Sequence, residues 1–410
     1  MEPKTIWFIS KYYASPPNEG SGSTRVFQTM REMVKLGNKV IIFTSSVDPY
    51  AELDTNTGFT VSRTFEGVKF WLLSGIKYAS SISLLRIISW IHFELVLFRD
   101  YAKEKTIPDI VIVSSPSILT IFNGLYLKRK YKAKLIFEVR DIWPLTLIED
   151  AGMSRWNPLI LIMGQIERLA YKYSNGILGT MPNLKQHVYK ILGYNKNVGF
   201  APMGVSNENL VPKAFLEESY IKKYIPKDKF LIIYAGTIGV ANALETLFKC
   251  AQILEPETDI HFLLVGDGPL LKQYKKKYAE STNITFAPKI KKSQVNSLLL
   301  YADVLYFSVA NSEVWQYGQS LNKLIDYMKA SKPIIASFSG FPSMLNESGC
   351  GVFVPSGNAE LLREEIDNMR SLPVSSRIRM GEKGKQWLLE NRNYSTIAQN
   401  LLKYFEDLRN

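Results

Sequence analysis

The sequence alternates short, continuously apolar runs with longer amphipathic runs. The first series of apolar runs consists of Thr5–Ser10, Lys39–Thr44, Asp109–Val113, Lys134–Val139 and Gly176–Gly179. Apolar runs of this length are typical of strands buried on both faces, and the stretches between them predict helices that cover a parallel sheet. We therefore predict an α/β fold with doubly wound parallel sheets.

The alternation stops in a polar, proline-containing stretch and then starts again. The second series consists of Phe230–Tyr234, Ile260–Val265, Ile284–Phe286, Val304–Ser308 and Pro333–Ala336. A chain of 410 residues suits two domains of ordinary size. We predict a first domain over residues 1–206, a linker over 207–228 and a second domain over 229–390. A final helix over 391–410 is expected to pack back on the first domain.

The composition, 46% hydrophobic and 21% charged, is that of a globular protein. Met1–Thr5 leads straight into an apolar run without a small-residue cleavage site, so we expect a cytoplasmic protein. Cys250 and Cys350 show no metal-site spacing, which favours a reducing compartment. The three histidines, His92, His187 and His261, are scattered, and we expect neither a metal nor another cofactor.

The formal net charge of +12 indicates an anionic partner, although simple solubility is an alternative explanation. No nucleic-acid-binding motif accompanies the charge, so phosphorylated substrates and anionic lipids are favoured over nucleic acid. Two apolar runs, Ile82–Phe98 and Trp156–Tyr171, contain charged residues and are poor spanning segments. Each run either lies in a membrane interface or faces the core of its domain.

A glycine-rich loop follows the first predicted strand. Gly20, Ser21 and Gly22 lie just before a predicted helix, where backbone N–H groups can approach a phosphate. The full dinucleotide-binding pattern is absent because Arg25 stands where it requires a third glycine. The alternative is a flexible surface loop.

Charged and glycine residues also follow three later strands. Arg140 and Asp141 stand at the end of one strand, where they can hold hydroxyls or a phosphate or can form an internal salt bridge. Gly236 and Thr237 follow the first strand of the second series and are candidates for nucleotide contact. Gly266 is a further candidate, although tight turn geometry is the favoured explanation there.

The most informative segment, residues 317–328, leads from a polar loop into an amphipathic helix. Backbone N–H groups at the helix start would face an anion. The candidate residues are Ser320, Leu321 and Asn322. Lys323 lies in a first turn, where the helix dipole disfavours it, so a negative partner such as a diphosphate is indicated. Asp326 lies three residues on and can accept hydrogen bonds from ribose hydroxyls, unless the two residues form a plain surface pair.

Six segments together carry a family resemblance. They read ISKYYASPPNEGSGSTR, EVRDIWP, YAGTIGVANALETL, LLVGDGP, LNKLIDYMKASKPIIAS and GCGVFVPSGNAEL. In this order and spacing, they resemble the retaining glycosyltransferases of the family 4 type. The resemblance is greatest to bacterial L-fucosamine transferases that build O-antigen and capsule. It implies the GT-B fold, in which two Rossmann-like domains face each other across a cleft.

The resemblance also assigns roles to residues. The C-terminal domain binds the nucleotide, with the ribose-binding carboxylate at Asp326 and the phosphate-binding helix start at Ser320–Asn322. The loop Gly20–Gly22 meets the diphosphate, and the N-terminal domain binds the acceptor. Our own candidates for the catalytic residues, from the strand end and the helix start described above, are Lys323, Arg140 and Asp141.

This chain departs from the family at three places. A histidine that contacts the sugar in many members is Arg140 here. The first of two glutamates separated by seven residues is Gly318. The arginine and lysine that usually follow the first turn of the second domain are missing around Thr237–Ala243, where Lys323 is expected to substitute for them.

The implied reaction transfers an N-acetylated or deoxy hexose from a UDP-sugar to a lipid-linked (polyprenyl-diphosphate) saccharide, with retention. It belongs to surface polysaccharide synthesis, including lipopolysaccharide, at the inner face of the plasma membrane. Two alternatives stay open. A nucleotide-sugar epimerase of the same fold needs no acceptor, and a non-catalytic partner subunit would bind nucleotide weakly or not at all.

Overall fold

The computed structural model describes residues 2–12, 14, 16, 24–48, 53–54, 58–78, 84–210, 212 and 214–408. Two compact units make up the chain. Unit 1 comprises residues 1–202 and 394–410, and unit 2 comprises residues 203–393.

Unit 1 is built on a largely parallel sheet. Its strands are β1 Thr5–Ile9, β2 Lys39–Ser45, β3 Val47–Asp48, β4 Leu53–Asp54, β5 Val61–Phe65, β6 Val68–Leu73, β7 Ile110–Ser114, β8 Lys134–Val139, β9 Gly176–Gly179 and β10 Val198–Phe200. Among the described residues, the main sheet has the order β10-β9-β8-β7-β1-β2-β6-β5, and β3 pairs with β4 separately. Only the β5–β6 pair of the main sheet is antiparallel.

Helices connect these strands. They are α1 Arg25–Lys35, α2 Leu84–Asp100, α3 Thr120–Tyr131, α4 Leu145–Glu149, α5 Pro158–Tyr173 and α6 Leu184–Leu192. The side chain of Thr24 caps α1 by accepting a hydrogen bond from Phe27 N at 3.2 Å. Val26, Met30 and Met33 recur at helical spacing and are buried in the core of unit 1. The sequence pattern therefore fixes both the start of α1 and the face that packs inward.

Unit 2 is built on a fully parallel sheet. Its strands are β11 Phe230–Ala235, β12 Ile260–Val265, β13 Ile284–Ala287, β14 Val304–Ser308, β15 Ile334–Ser337 and β16 Gly351–Val354. Its helices are α7 Glu218–Tyr224, α8 Glu245–Ile253, α9 Leu271–Lys277, α10 Val295–Leu299, α11 Asn322–Lys329, α12 Met344–Ser348, α13 Ala359–Ser371 and α14 Val374–Asn391. The sheet order β13-β12-β11-β14-β15-β16 is that of the Rossmann fold.

The structure assigns each of the two segments at the predicted domain boundaries to one unit. The stretch 207–228, predicted as a linker, lies within unit 2, because Leu216 is buried in the core of that unit and α7 packs there through Tyr220 and Ile221. The last helix, α15 Tyr394–Asp407, belongs to unit 1 and packs against α1. Tyr404 of α15 donates a hydrogen bond to Ile177 O at 3.0 Å.

Five short 3-10 helices complete the secondary structure of the described residues: Tyr101–Lys103, Asn207–Asn209, Val240–Asn242, Lys292–Gln294 and Glu313–Tyr317. Within the described ranges, no helix is both long enough and apolar enough to span a membrane.

Candidate functional site

The site in unit 2 lies where the order of its strands reverses. In a sheet of this kind, the connections from β11 and β14 leave in opposite directions and open a crevice beyond the carboxyl ends of these strands. Gly236 follows β11, and its N–H donates to Val265 O at 3.0 Å. A Cβ on Gly266 would lie 1.8 Å from Gly236 O, so only glycine allows the two turns to pack this closely. The turns are therefore brought together as expected of a ligand-binding edge.

Lys323 points from the first turn of α11 into this edge. Its Nζ donates to Tyr234 Oη and to Asn242 Oδ1, both at 3.1 Å, and lies 4.3 Å from the centroid of the Tyr234 ring. Burial lowers the pKa of Lys323 to about 7, and no other cause contributes appreciably. Tyr234 Oη in turn donates to Thr237 O at 2.5 Å. Lys323 is thus a desolvated amine held by neutral oxygen atoms, which is a suitable group for contacting an anion.

The start of α11 supplies further donors for an anion. Leu321 is its N-cap residue, and no side chain among the described residues caps the helix. Asn322 is exposed, and Ser320 is half-buried. The first N–H groups of a helix have no partner within the helix, and they favour negative charge. Ser320, Leu321 and Asn322, which were predicted to form a helix start, therefore lie at the start of α11.

Asp326 lies on α11, one turn beyond Lys323, but its ion pair is with Lys329. Lys329 Nζ lies 2.6 Å from Asp326 Oδ1, and the Asp326 side chain keeps 32% of its surface exposed. The alternative of a plain surface pair between Lys323 and Asp326 is therefore wrong. Asp326 retains exposed carboxylate surface for a ligand.

The candidate residues of unit 1 lie at the end of β8. Arg140 N donates to Ser115 Oγ at 3.0 Å, which joins the ends of β8 and β7. Asp141 is solvent-exposed, yet the protein atoms around it raise the pKa of its carboxyl by desolvation, against the opposing charges of Arg140 and Arg86. Arg86 comes from α2, and its guanidinium lies 5.5 Å from the Trp143 ring centroid. Arg140 and Asp141 therefore form a cluster with Arg86 and the aromatic ring of Trp143.

Arg25 has a structural role at the neighbouring edge. Its Nη2 lies 2.7 Å from Glu138 Oε1 in a buried ion pair, and its Nη1 donates to Ala201 O at 3.2 Å. Ser114 donates to the second oxygen of the same carboxylate. The residue that replaces the third glycine of a dinucleotide-binding pattern thus ties α1 to β8. The predicted phosphate-binding residues Gly20, Ser21 and Gly22 lie outside the described residues.

Several site residues were not predicted from the sequence. In unit 2 they are Tyr234 and Asn242, the partners of Lys323. In unit 1, Tyr12 is buried and accepts hydrogen bonds from Trp90 Nε1 at 2.8 Å and Tyr78 Oη at 2.7 Å. A tyrosine near the end of a buried strand, as at position 234, is the one signal that could have indicated a polar role.

Within the described residues, no group of three or more His, Cys, Asp or Glu side chains is arranged to hold a metal ion. The expectation that the protein needs no metal stays a prediction.

Comparison with known proteins bears on the fold and on unit 2. Residues 217–387 match the family model described as Glycosyl transferases group 1. Comparison with the curated proteins gave no match.

Solved structures of similar fold cover nearly the whole chain. Sucrose-phosphate synthase from Thermosynechococcus elongatus has a TM-score of 0.73 at 16% identity, covering 99% of each chain. A trehalose-6-phosphate protein from E. coli, bound with UDP-2-fluoro glucose, also has a TM-score of 0.73, at 11% identity and 99% coverage of each chain. Anabaena Alr3699/HepE in complex with UDP and glucose has a TM-score of 0.64 at 11% identity, covering 99% of this chain and 100% of its own.

The two Rossmann-like sheets and these structural matches confirm the predicted α/β, GT-B fold. The match over residues 217–387 shows that unit 2 carries a domain of the glycosyl transferases group 1 family.

Proposed function

We propose that this protein is a retaining glycosyltransferase that moves a sugar from a UDP-sugar to a lipid-linked saccharide. The family of unit 2 supports sugar transfer. Proteins of the same fold that were solved with UDP-2-fluoro glucose, or with UDP and glucose, support a UDP-sugar donor. The resemblance to L-fucosamine transferases supports an N-acetylated or deoxy hexose and a role in O-antigen, capsule or lipopolysaccharide synthesis at the inner face of the plasma membrane.

The observation that carries the proposal is the position and state of Lys323. Its amine lies in the first turn of α11, is desolvated, and among the described residues donates hydrogen bonds to two neutral oxygens, those of Tyr234 and Asn242. A diphosphate at this helix start would pair with the ammonium group of Lys323 and accept hydrogen bonds from the backbone N–H groups. Asp326, on the same helix, would accept hydrogen bonds from the ribose hydroxyls.

In the reaction, the bond between the anomeric carbon of the donor and the diphosphate oxygen breaks. An acceptor hydroxyl oxygen bonds to the same carbon on the same face, and its proton passes to the departing diphosphate. Negative charge grows on the diphosphate as its bond to the anomeric carbon breaks, before the proton arrives, and Lys323 stabilises that charge. No enzyme carboxylate acts as a nucleophile in this front-face step.

The acceptor is assigned to unit 1. Arg140 and Arg86 offer cationic donors beside the exposed carboxylate of Asp141, and the half-buried Trp143 offers an aromatic face on which a sugar ring can pack. Such a mixture of charged groups and an aromatic face suits a saccharide that carries a phosphate. The lipid-linked (polyprenyl-diphosphate) acceptor provides both features.

The test is a turnover screen of purified protein across UDP-sugars, with a membrane extract as acceptor. We expect transfer from one donor class with retained anomeric configuration, and loss of transfer in Lys323→Gln. Lys249→Gln, an exposed lysine elsewhere in unit 2, is the matched control. An inverted product would refute the retaining mechanism.

The same preparation separates the two alternatives. A new nucleotide sugar formed from donor alone would identify an epimerase. Failure to bind UDP by calorimetry, with the protein folded, would identify a non-catalytic subunit.

A further inference from the structure

The helix α2 exposes an apolar face. Leu85, Ile88, Ile91, Leu95 and Phe98 recur at intervals of three or four residues, and each leaves between 49% and 65% of its surface exposed. These spacings place the five side chains on one side of the helix. A surface helix usually presents polar residues to solvent, so an apolar outer side requires an explanation.

The opposite side of α2 already packs against unit 1. Trp90, Phe93 and Leu97 are buried there, with 6%, 1% and 0% of their surface exposed. Apolar side chains therefore occupy both sides of the helix, interrupted by charged residues and His92, although only one side can face the core. A helix of this kind is stable when its second side is also covered.

The exposed apolar side continues onto α3. Phe122 and Tyr126 leave 49% and 37% of their surface exposed, and the ring centroids of Tyr126 and Phe98 lie 5.1 Å apart. We call the five residues of α2 together with Phe122 and Tyr126 the α2–α3 face. It is a contiguous apolar surface on two neighbouring helices, larger than scattered single hydrophobic residues would provide.

Basic residues border the α2–α3 face. Lys130 Nζ lies 5.8 Å from the centroid of the Tyr126 ring, Arg129 is exposed one turn beyond Tyr126 on α3, and the side chain of Arg99, next to Phe98, keeps 64% of its surface exposed. The carboxylates of this region are turned inward. Asp100 and Glu104 are buried and pair with basic side chains, and their lowered pKa values keep them ionised there. The exposed charge around the apolar face is therefore positive.

We propose that the α2–α3 face lies in the interface of an anionic lipid bilayer. Apolar side chains at the centre and cations at the border match acyl chains and anionic headgroups, respectively. A second copy of the chain is a poorer occupant, because a symmetric contact would bring the two basic borders against each other. The net charge of +12 acts in the same direction.

The docked helix also borders the candidate acceptor residues. Arg86 lies on α2, stacks near Trp90 and Trp143, and acts electrostatically on Asp141. A lipid-linked saccharide held in the bilayer would therefore present its polar head beside Arg140 and Asp141. This last step rests on the proposed function, whereas the docking itself does not.

The test is flotation with vesicles of phosphatidylcholine alone and of phosphatidylcholine mixed with an equal part of phosphatidylglycerol. Wild-type protein should float with the mixed vesicles and much less with the neutral ones. Ile91→Glu/Leu95→Glu should lower the partition coefficient on mixed vesicles at least tenfold. Its matched control is Val374→Glu/Ile378→Glu, an equally spaced and equally exposed pair on α14, which should bind as wild type does.

A second pair of variants tests the charge. Arg129→Gln/Lys130→Gln should weaken binding to mixed vesicles about tenfold and leave binding to neutral vesicles unchanged. Lys275→Gln/Lys276→Gln on α9 of unit 2 is the control.

Wild-type binding by Ile91→Glu/Leu95→Glu would overturn the proposal. So would lipid-free dimers of the wild type that the same double variant converts to monomers, because the occupant would then be a second copy. UDP binding measured on each preparation keeps the two proposals apart. A protein that binds UDP but not vesicles refutes only the docking, and one that binds vesicles but not UDP refutes only the proposed function.

Discussion

Replacing Lys323 by glutamine tests the proposed diphosphate site, because it should abolish the proton uptake that accompanies UDP binding. The pKa of Lys323 is lowered from 10.5 to about 7, so near pH 8 only about one molecule in ten carries the charge. A bound diphosphate restores the favourable environment of the ammonium and raises this pKa again. Binding of UDP should therefore take up most of one proton near pH 8, and the affinity should fall by up to about tenfold per pH unit above it.

Calorimetry in two buffers with different ionisation enthalpies measures this proton uptake. We expect nearly one proton for the wild type and for Lys249→Gln, but none for Lys323→Gln, because glutamine stays neutral. The phosphates of UDP contribute little, since a terminal phosphate with a second pKa of about 6 is already ionised near pH 8. Turnover of Lys323→Gln should fall about 10- to 1000-fold, for a loss of roughly 1.4–4 kcal/mol of leaving-group stabilisation.

The same substitution should stabilise the protein without ligand. Between pH values of about 7 and 10.5 the unfolded chain holds a proton on Lys323 that the folded protein has lost, so stability rises with pH across this window. The full difference corresponds to about 5 kcal/mol. Residual solvent exposure and two lost hydrogen bonds, about 1 kcal/mol each, reduce the expected gain to roughly 1–3 kcal/mol near pH 7.

Urea unfolding at several pH values measures this gain. Stability of the wild type should rise with pH relative to Lys323→Gln. A variant that is less stable than the wild type, binds UDP with wild-type affinity and turns over at the wild-type rate would refute the reasoning. Lys323 would then be a structural residue, and leaving-group stabilisation would have to come from elsewhere.

Four further predictions follow from the two sites. Asp326→Asn should weaken UDP binding by roughly 1.5–3 kcal/mol, because the ribose hydrogen bonds lose their charged acceptor; an unchanged dissociation constant would remove Asp326 from the site. Arg140→Ala should lower kcat more than UDP affinity, and wild-type turnover by the folded variant would contradict its placement on the acceptor side. Arg25→Met should cost about 3–5 kcal/mol in urea unfolding, since Glu138 stays buried without its cation; Arg25→Met/Glu138→Gln should recover part of that loss, and equal stability of wild type and single variant would show that the pair is not structural. Chelation by EDTA should leave turnover unchanged, whereas activity lost on chelation and restored by a divalent cation would show that a metal is required.

The sheets were largely predictable because their strands are continuously apolar. Strand β6 is buried and largely apolar, so its run could have been recognised, whereas β5 was missed for a physical reason. Val61–Phe65 is an exposed edge strand with polar residues, and it pairs antiparallel with Val68–Leu73 across a turn. Glu66 and Gly67 both have positive φ in that turn, so Gly67 is the local signal that could have indicated the hairpin. An exposed edge strand carries no apolar run to detect.

The site of unit 2 was predictable only in part. The position of Lys323 in the first turn of α11 follows from the local pattern, but its partners Tyr234 and Asn242 lie 89 and 81 residues away in the sequence. The order of the parallel strands brings Lys323 close to Tyr234 and Asn242, and this strand order cannot be read from the spacing of the residues along the chain. Gly318 illustrates a different limit. Its φ of 98° lies in the region that favours glycine, so the glutamate that the family resemblance implies at this position would be strained on this backbone.

The lowered pKa of Lys323 depends on the fact that Asp326 forms its ion pair with Lys329 and not with Lys323. Among the described residues, burial is the cause that lowers the pKa of Lys323, and no carboxylate raises it. Had Asp326 paired with Lys323, their mutual attraction would have kept the ammonium charged and left little of its field for a ligand. Because Asp326 pairs instead with Lys329, at 2.6 Å, the amine of Lys323 has no carboxylate partner among the described residues, and under the proposed function the bound anion provides one. A diphosphate whose charge grows during the reaction is the anion that benefits most from this arrangement.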